Sequence, residues 1–113
     1  MDLGALSAAV TKLVSDYGRS PTSASSWRLG DGCVVTALED FMTPAEQELV
    51  ERGDARLVRQ LHSVFGEAIA DEYVRAAEGG LGREVLAHRS EVICASGICL
   101  EIFSLASERL PGD

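Results

Sequence analysis

The first apolar positions along the chain recur with the period of a helix. Steps of three or four residues separate most members of the set Leu3, Leu6, Val10, Leu13, Val14 and Tyr17. Apolar residues at this spacing form one face of an amphipathic helix, and the glycine that follows, Gly18, is typical of a helix C-terminus. The pattern predicts a helix over residues 3–17 and a loop over the Gly-, Pro- and Ser-rich residues 18–26.

Two apolar runs then flank a glycine-rich turn. Residues 26–29 and 33–38 contain tryptophan, valine and threonine, and Gly30-Asp31-Gly32 lies between them. β-branched and aromatic residues around such a turn are typical of a β-hairpin. The turn also resembles half of a phosphate-binding loop, but no Gly-Lys-Ser/Thr follows it, so we interpret it as a plain turn.

Two helices are predicted in the middle of the chain. Thr43 can cap a helix, Pro44 suits its first position and Glu46 can bond back to the cap, which predicts a short helix over 44–51. Residues 55–78 are the longest stretch with a helical period, and Gly79-Gly80-Leu81-Gly82 follows. We expect one long helix that covers the core with a stripe made of Leu57, Leu61, Val64, Phe65, Ala68 and Glu72, with Val58 and Ile69 beside it.

A second hairpin closes the chain. Residues 84–94 and 98–105 are rich in valine, isoleucine and leucine, with the turn Ala95-Ser96-Gly97 between them. The order of elements is therefore α-β-β-α-α-β-β. It predicts one α+β domain over residues 1–113, with a core at about 3–106. Its sheet should be four-stranded and antiparallel, built of two hairpins, with the long helix packed on it.

The strands also predict a homodimer. Residues 33–38 and 98–105 are apolar at nearly every position, whereas a sheet that is wetted on one side should alternate apolar and polar residues. Both sheet faces should therefore be covered, the second partly by the N-terminal helix and otherwise by a second copy of the chain. The alternative is a complete monomer with helices on opposite faces.

Charge and cysteine content narrow the partners and the compartment. The 113-residue chain has 18 acidic and 10 basic residues and a net charge of -8, so we expect no nucleic-acid partner and no attraction to an anionic membrane. No apolar run reaches the roughly 18 residues that span a bilayer, and the N-terminus does not resemble a secretory signal. Three cysteines form no disulfide framework, which favours the cytoplasm.

The residues carry no recognisable catalytic signature. The two histidines, His62 and His88, lie in no zinc-binding spacing, and no Gly-x-Ser-x-Gly is present. A metal site assembled from Cys94, Cys99 and a histidine is an alternative to polar histidines at the edge of the core. We expect no enzyme, no cofactor and no metal.

Two small clusters are candidate sites. Arg52, Arg56 and Arg59 could receive an acidic partner or an anion, although intrahelical ion pairs with Glu51 and Asp54 are the alternative. Cys94 and Cys99 flank the last turn and could face each other across the hairpin as a redox pair, although two packed thiols are the simpler interpretation.

Three segments together resemble a known family. They are Tyr17-Gly18-Arg19-Ser20-Pro21, the segment Phe41-Met42-Thr43-Pro44-Ala45-Glu46-Gln47-Glu48-Leu49, and the final hairpin from His88 through Gly97 to Phe103. Over residues 3–106 they resemble the MpsC family of bacteria, whose signatures read LTPAE and H-T-D … G … V-F-T-L. Here Arg89-Ser90-Glu91 follows the histidine, so the family's aspartate is absent, and one extra residue separates His88 from Gly97.

The resemblance implies a function that composition does not. Members belong to a sodium-translocating, membrane-potential-generating system, which implies an accessory protein associated with cation translocation and inorganic-carbon or bicarbonate supply. The expected partner is a membrane transporter subunit, bound in a protein–protein contact. Independently of the resemblance, the candidate partner- or ligand-binding residues are Arg52, Arg56, Arg59 and His88. A small-ligand or thiol redox-sensing module is the alternative, and an enzyme with an unrecognised site is a third.

Overall fold

The computed structural model describes residues 1–107, and its elements follow the predicted order. They are α1 (Leu3–Asp16), β1 (Ser23–Arg28), β2 (Cys33–Glu39), α2 (Pro44–Glu51), α3 (Ala55–Ala68), α4 (Ala70–Leu81), β3 (Val85–Ile93) and β4 (Ile98–Leu105). The α+β class and the four-stranded antiparallel sheet are confirmed. None of the helices within residues 1–107 is both long and apolar enough to cross a bilayer.

The sheet joins the two hairpins through their inner strands. Its strand order is β1-β2-β4-β3, and β2 runs antiparallel to β4 with Val34 opposite Phe103 and Leu38 opposite Cys99. These four residues are buried and point toward the helices. Residues alternate between the two faces, so the neighbouring positions of the same strands point away from the helices.

One core lies between the helices and one face of the sheet. It combines α1, α4 and the sheet residues in a single buried cluster: Leu6, Val10, Val14, Val34, Leu38, Ile69, Tyr73, Ala77, Leu81, Cys99 and Phe103 among others. Because α1 and α4 lie side by side against the same sheet face, the expectation that the N-terminal helix covers part of the opposite face is wrong.

The opposite face, which we call the open sheet face, consists of Trp27, Val35, Ala37, Leu100 and Ile102. Strand register places Trp27 opposite Val35, and Val35 opposite Ile102. Trp27 is 39% exposed while Val35 beside it is only 3% exposed, so the aromatic edge strand shields the middle of the sheet. Within residues 1–107 no helix packs on this face.

The predicted long helix is two helices. The helix is interrupted at Ile69, whose backbone is not helical, with φ -116° and ψ 21°. Ile69 is both the C-cap of α3 and the N-cap of α4. The break lets Ile69 bury its side chain in the core. A continuous period of apolar residues does not reveal this change of direction, because both helices are amphipathic.

The predicted stripe was also wrong for most of its members on α3, although Phe65 does pack against the core. Leu57, Leu61 and Val64 are 46%, 47% and 62% exposed, whereas the helix buries Val58, His62 and Gly66. The buried side includes a histidine and a glycine, so hydrophobicity alone selects the wrong face. Gly66 explains part of the preference, because a Cβ there would lie 3.0 Å from Ser90 Oγ on β3.

The glycine run after residue 78 does not end the helix where the sequence predicts. Gly79 and Gly80 are helical, and α4 continues to Leu81, with Gly82 in the left-handed region at φ 66°. A Cβ at Gly80 would lie 2.9 Å from the Cα of Leu6. Gly80 therefore serves the close crossing of α1 and α4, and the helix stops only at Gly82.

Candidate functional site

A cavity of about 370 Å³ lies between α3 and β3. Its lining includes both histidines, two serines, two arginines and the glycine of the close contact: Arg59, His62, Ser63, Gly66, His88, Arg89 and Ser90. Each histidine is hydrogen-bonded to a buried carboxylate, His62 to Glu46 and His88 to Glu101. The site is thus built from two histidine–glutamate pairs on separate elements.

Glu46 is the centre of the first pair. It completes the predicted capping box, since its backbone N–H donates to Thr43 Oγ1 at 3.2 Å and its Oε1 accepts from the Thr43 N–H at 2.9 Å. The Arg19 guanidinium donates to both of its oxygens. Burial opposes ionisation, but the hydrogen bonds from Arg19 and Thr43, with the charges of His62 and Arg19, lower the pKa of Glu46 to about 2.

His62 is held between Glu46 and the aromatic ring of Phe41. Its Nε2 lies 2.6 Å from Glu46 Oε2, and its ring meets Phe41 edge-on at 5.2 Å between centroids. The guanidinium carbon of Arg19 lies 4.9 Å from the centroid of the Phe41 ring. Arg19, Glu46, Phe41 and His62 therefore form one connected group. Burial is the main cause of the lowered pKa of His62, and the nearby Glu46 opposes it only in part.

The second pair lies on neighbouring strands of the sheet. His88 Nε2 is 2.5 Å from Oε2 of Glu101, which is only 1% exposed. Ser90 donates to the same carboxylate oxygen, and the Cys99 thiol donates to Oε1 at 3.2 Å. Three donors therefore satisfy a carboxylate that would otherwise be costly to bury.

This second pair does not form an activated nucleophile. In a serine triad the hydroxyl and the carboxylate contact opposite nitrogens of the histidine. Here Glu101 and Ser90 both lie on the Nε2 side of His88, with Ser90 Oγ at 3.3 Å from that nitrogen. The Ser90 hydroxyl donates its hydrogen bond to the carboxylate, so His88 does not lie between the two groups as the histidine of a serine triad does.

Aromatic and thiol groups close the second pair off from water. Tyr73 stacks on His88 with centroids 4.2 Å apart, and Phe103 lies on another side at 5.2 Å. Burial, followed by the charge of Glu101, raises the pKa of both the Tyr73 phenol and the Cys99 thiol. Both groups therefore stay protonated at physiological pH.

The three segments that carry the family resemblance meet in this group. Arg19 comes from the first, Glu46 from the second and His88 from the third. A family model described as "Na+-translocating membrane potential-generating system (MpsC)" matches residues 4–107. The chain belongs to the MpsC family. No curated protein and no solved structure matches it.

The predicted basic cluster of this MpsC-family chain is only partly brought to the cavity. Arg59 and His88 line it, whereas Arg52 and Arg56 do not. The predicted intrahelical ion pairs with Glu51 and Asp54 do not form. Arg52 instead pairs with Glu48, with Nε and Oε1 3.0 Å apart. Among residues 1–107, neither Arg56 nor Arg59 forms an ion pair.

The two cysteines near the last turn do not face each other. Strand register places Val92, not Cys94, opposite Cys99, and Cys94 lies beyond the end of β3. Cys94 Sγ approaches the carbonyl oxygen of Ala55, while the Cys99 thiol is bonded to Glu101. Both are free cysteines, and the part of the chain that the structure describes holds no group of three metal-ligating side chains.

Reasoning from the sequence missed most of the buried polar residues. Glu46 was expected only as part of the capping box of α2 and is 6% exposed; His62 was expected at the edge of the core and is 4% exposed. Arg19 and Glu101 were not singled out at all. The available signals were the arginine in the Gly-Arg-Ser-Pro segment and the one acidic residue on the core-facing side of an otherwise apolar strand.

Proposed function

We propose that this protein is a non-catalytic accessory protein of a Na+-translocating, membrane-potential-generating system and that it acts by binding other proteins. Family membership supports the association with that system. The hydrogen bonding of Ser90 and Glu101 supports a non-catalytic role, because both groups lie on the same nitrogen of His88 and so do not have the arrangement of a serine triad.

The open sheet face is the observation that carries the proposal. Trp27, Leu100 and Ile102 present an apolar surface on the side of the sheet away from the helices, and the buried Val35 lies between Trp27 and Ile102. Apolar residues on a face with no covering layer are typical of an interaction surface. The face ends at β3 with Arg89 and Glu91, which pair at 2.6 Å and so present no excess of one charge.

A second copy of the chain is the occupant that we propose for this face. Four strands of about 24 Å at a spacing of about 4.8 Å give a footprint of roughly 450 Å². A standard interface buries roughly 800 Å² per partner, so the pairing would have to use the whole of this face and its rim. A two-fold pairing would bring the uncharged, apolar middle of one open sheet face against that of the other. The net charge of -8 on each chain therefore does not lie at the centre of the contact.

Light scattering on a sizing column tests the homodimer. At tens of micromolar we expect twice the monomer mass of 12.0 kDa. Ile102→Glu should shift the protein to the monomer with unchanged circular dichroism, because Ile102 points away from the core. The matched control is Val64→Glu on α3, which adds the same charge at an exposed position of another surface and should leave the dimer intact. A 12.0 kDa wild-type protein overturns the proposal.

The dimer is proposed to act in the cytoplasm on a membrane transporter subunit of the system, in support of bicarbonate or other inorganic-carbon supply. The test is co-purification from detergent extracts with the Na+-translocating subunits expressed from the same organism. Recovery of those subunits with the wild-type protein supports the proposal. Extraction that preserves weak complexes and yields none of them counts against it.

Ligand sensing is a second candidate function, and the cavity between α3 and β3 favours it. Its volume of about 370 Å³ is within the usual range of roughly 300–1,000 Å³ for small-molecule sites. Trp27, Leu100 and Ile102 do not line the cavity, so binding there can be tested independently of the apolar part of the open sheet face.

A further inference from the structure

One edge of the sheet is formed by β3, and the outer side of this strand is open. The strand order β1-β2-β4-β3 gives β3 a single neighbour, β4. Within residues 1–107, the backbone of residues 86–92 makes hydrogen bonds only to β4. In an edge strand every second residue points its N–H and C=O outward, so β3 presents a row of free donors and acceptors. Its nine residues include no proline, which would interrupt that row.

A helix runs alongside this strand. Cys94 Sγ lies 3.9 Å from the carbonyl oxygen of Ala55, and a Cβ at Gly66 would lie 3.0 Å from Ser90 Oγ. The start of α3 therefore lies beside the end of β3 and its later turns lie beside the middle of the strand, so the two elements run in opposite directions. The cavity of about 370 Å³ between them is a groove with one helix wall and one strand wall.

The groove reaches the outer edge of β3. Its lining includes His88 and Ser90, which face the helices, and also Arg89 and Glu91, which alternate with them and face the other way. A cavity that touches residues on both faces of one strand lies along the edge of that strand. Arg89 and Glu91 pair with each other at 2.6 Å, so the strand adds no unpaired charge to the groove.

The helix wall of the groove carries one charge of each sign. Arg59 and Glu67 both line the cavity and are exposed, and neither forms an ion pair within residues 1–107. They are eight positions apart on α3, which is about 12 Å along the helix axis. In an extended chain this distance corresponds to about four residues, and residues at an even spacing point to the same side.

We propose that this groove binds an extended segment of another protein, which adds to the sheet as a fifth strand antiparallel to β3. Main-chain hydrogen bonds to the outer side of β3 hold the segment, which is the mode of recognition by strand addition. A strand antiparallel to β3 runs in the direction of α3. Its acidic residue therefore comes first and faces Arg59, and its basic residue follows four positions later and faces Glu67. The inference rests on the protein-binding function proposed above and gives that function a second site.

Two peptides of identical composition test the charge pattern. The matched peptide has nine residues that alternate threonine and valine, with glutamate in the third place and arginine in the seventh; the exchanged peptide has these two swapped. Titration of the ¹⁵N-labelled wild-type protein should show saturable binding of the matched peptide that shifts the amide resonances of residues 86–92. The matched peptide should bind about tenfold more tightly, since exchange turns two opposite-charge contacts into two like-charge contacts.

A third peptide separates strand addition from contact between side chains alone. Prolines in place of the central threonine and the valine after it remove one backbone donor on each side of the peptide, and binding should weaken about tenfold or more. When the matched peptide is bound, every second amide of residues 86–92 should exchange with solvent about tenfold more slowly or less, because it gains a backbone partner.

A double variant on α3 locates the peptide. Arg59→Glu/Glu67→Arg exchanges the two charges at unchanged net charge and should invert the preference between the matched and exchanged peptides. The control is Glu48→Arg/Arg52→Glu, which exchanges the charges of an ion pair outside the cavity. It should leave the preference within about twofold of wild type.

Three results would overturn the inference. They are no shift of the amides of β3 by the matched peptide up to about 1 mM, equal affinity for the matched and exchanged peptides, or a preference that the double variant on α3 leaves unchanged. Failure of the proposed function is a different result. A mass of 12.0 kDa in solution, or a co-purification without transporter subunits, contradicts that function, whereas the peptide titrations alone decide the groove.

Discussion

Arg19 and Glu46 form a buried ion pair between segments 27 positions apart in the chain. The same carboxylate caps α2 and accepts from His62 on α3, so one side chain ties the loop after α1 to two helices. Removal of either partner would leave a buried charge unpaired, which is among the most destabilising changes a protein can suffer.

The stability of the protein should therefore fall with acid in a way that depends on Glu46. Its pKa is about 2 when folded and 4.5 in the unfolded chain, so its contribution is fully present above about pH 5 and is lost as pH falls toward 2. The difference corresponds to roughly 3 kcal/mol. Urea unfolding of wild type and Glu46→Gln should show a gap at pH 7 that narrows by pH 3, whereas exposed Glu48→Gln should show little gap at either pH.

Thr43→Ala tests the capping box directly. The Thr43 hydroxyl accepts from the Glu46 N–H at 3.2 Å, and loss of such a cap costs about 1 kcal/mol. Thermal unfolding should show a lower Tm for Thr43→Ala, while Thr43→Ser, which keeps the hydroxyl, should stay close to wild type. An unchanged Tm for the alanine variant would mean that the cap contributes nothing.

Leu61 on the exposed side of α3 should tolerate truncation, whereas the periodicity of the sequence predicts a buried leucine that does not. Leu61 is 47% exposed, so Leu61→Ala should cost less than about 0.5 kcal/mol. Leu6 on α1 is fully buried, and the same substitution there should cost about 2–5 kcal/mol. Chemical denaturation of the two variants checks both values, and a large loss at Leu61 would mean that another surface covers it.

Local signals in the sequence were enough for most of the fold. Thr43, Pro44 and Glu46 start α2 as expected, and the two glycine-containing turns place the hairpins correctly. These signals act over a few residues, through caps and turn geometry. They are read well from one sequence because no distant residue has to be known.

The face of α3 and the polar site could not be predicted in that way. His62 is buried against the carboxylate of Glu46, and Arg19 keeps that carboxylate ionised. Both partners come from distant segments of the chain. Hydrophobic periodicity predicts that Leu61 is buried and His62 is not, because it takes no account of polar partners from distant segments. The family resemblance identified the segments of Arg19, Glu46 and His88, but only the fold shows that they lie together.

The buried thiol of Cys99 should be unreactive in the native protein. Burial, followed by the charge of Glu101, raises its pKa, so the thiolate that reacts with disulfide reagents is scarce. A Cys33→Ser/Cys94→Ser variant, which retains only Cys99, should react with such a reagent after unfolding and not before. Fast labelling of this variant under native conditions would show that the site opens to solvent.

Two adjacent glycines of α4 should respond in opposite directions to the same substitution. Both are helical, and alanine is intrinsically better than glycine in a helix by about 0.5–1 kcal/mol. Nothing lies within 4 Å of a Cβ at Gly79, so Gly79→Ala should stabilise the protein by about that amount.

At Gly80 the added Cβ would lie 2.9 Å from the Cα of Leu6 and 3.0 Å from the carbonyl oxygen of Ala5. Backbone atoms cannot rotate away as a flexible side chain can, so α1 and α4 must separate. Overpacking of this kind costs about 1–3 kcal/mol, which exceeds the gain in helix propensity. Gly80→Ala should therefore lower the free energy of unfolding while Gly79→Ala raises it. Denaturation of the two variants side by side checks the signs, and stabilisation by both would mean that the helices do not cross at Gly80.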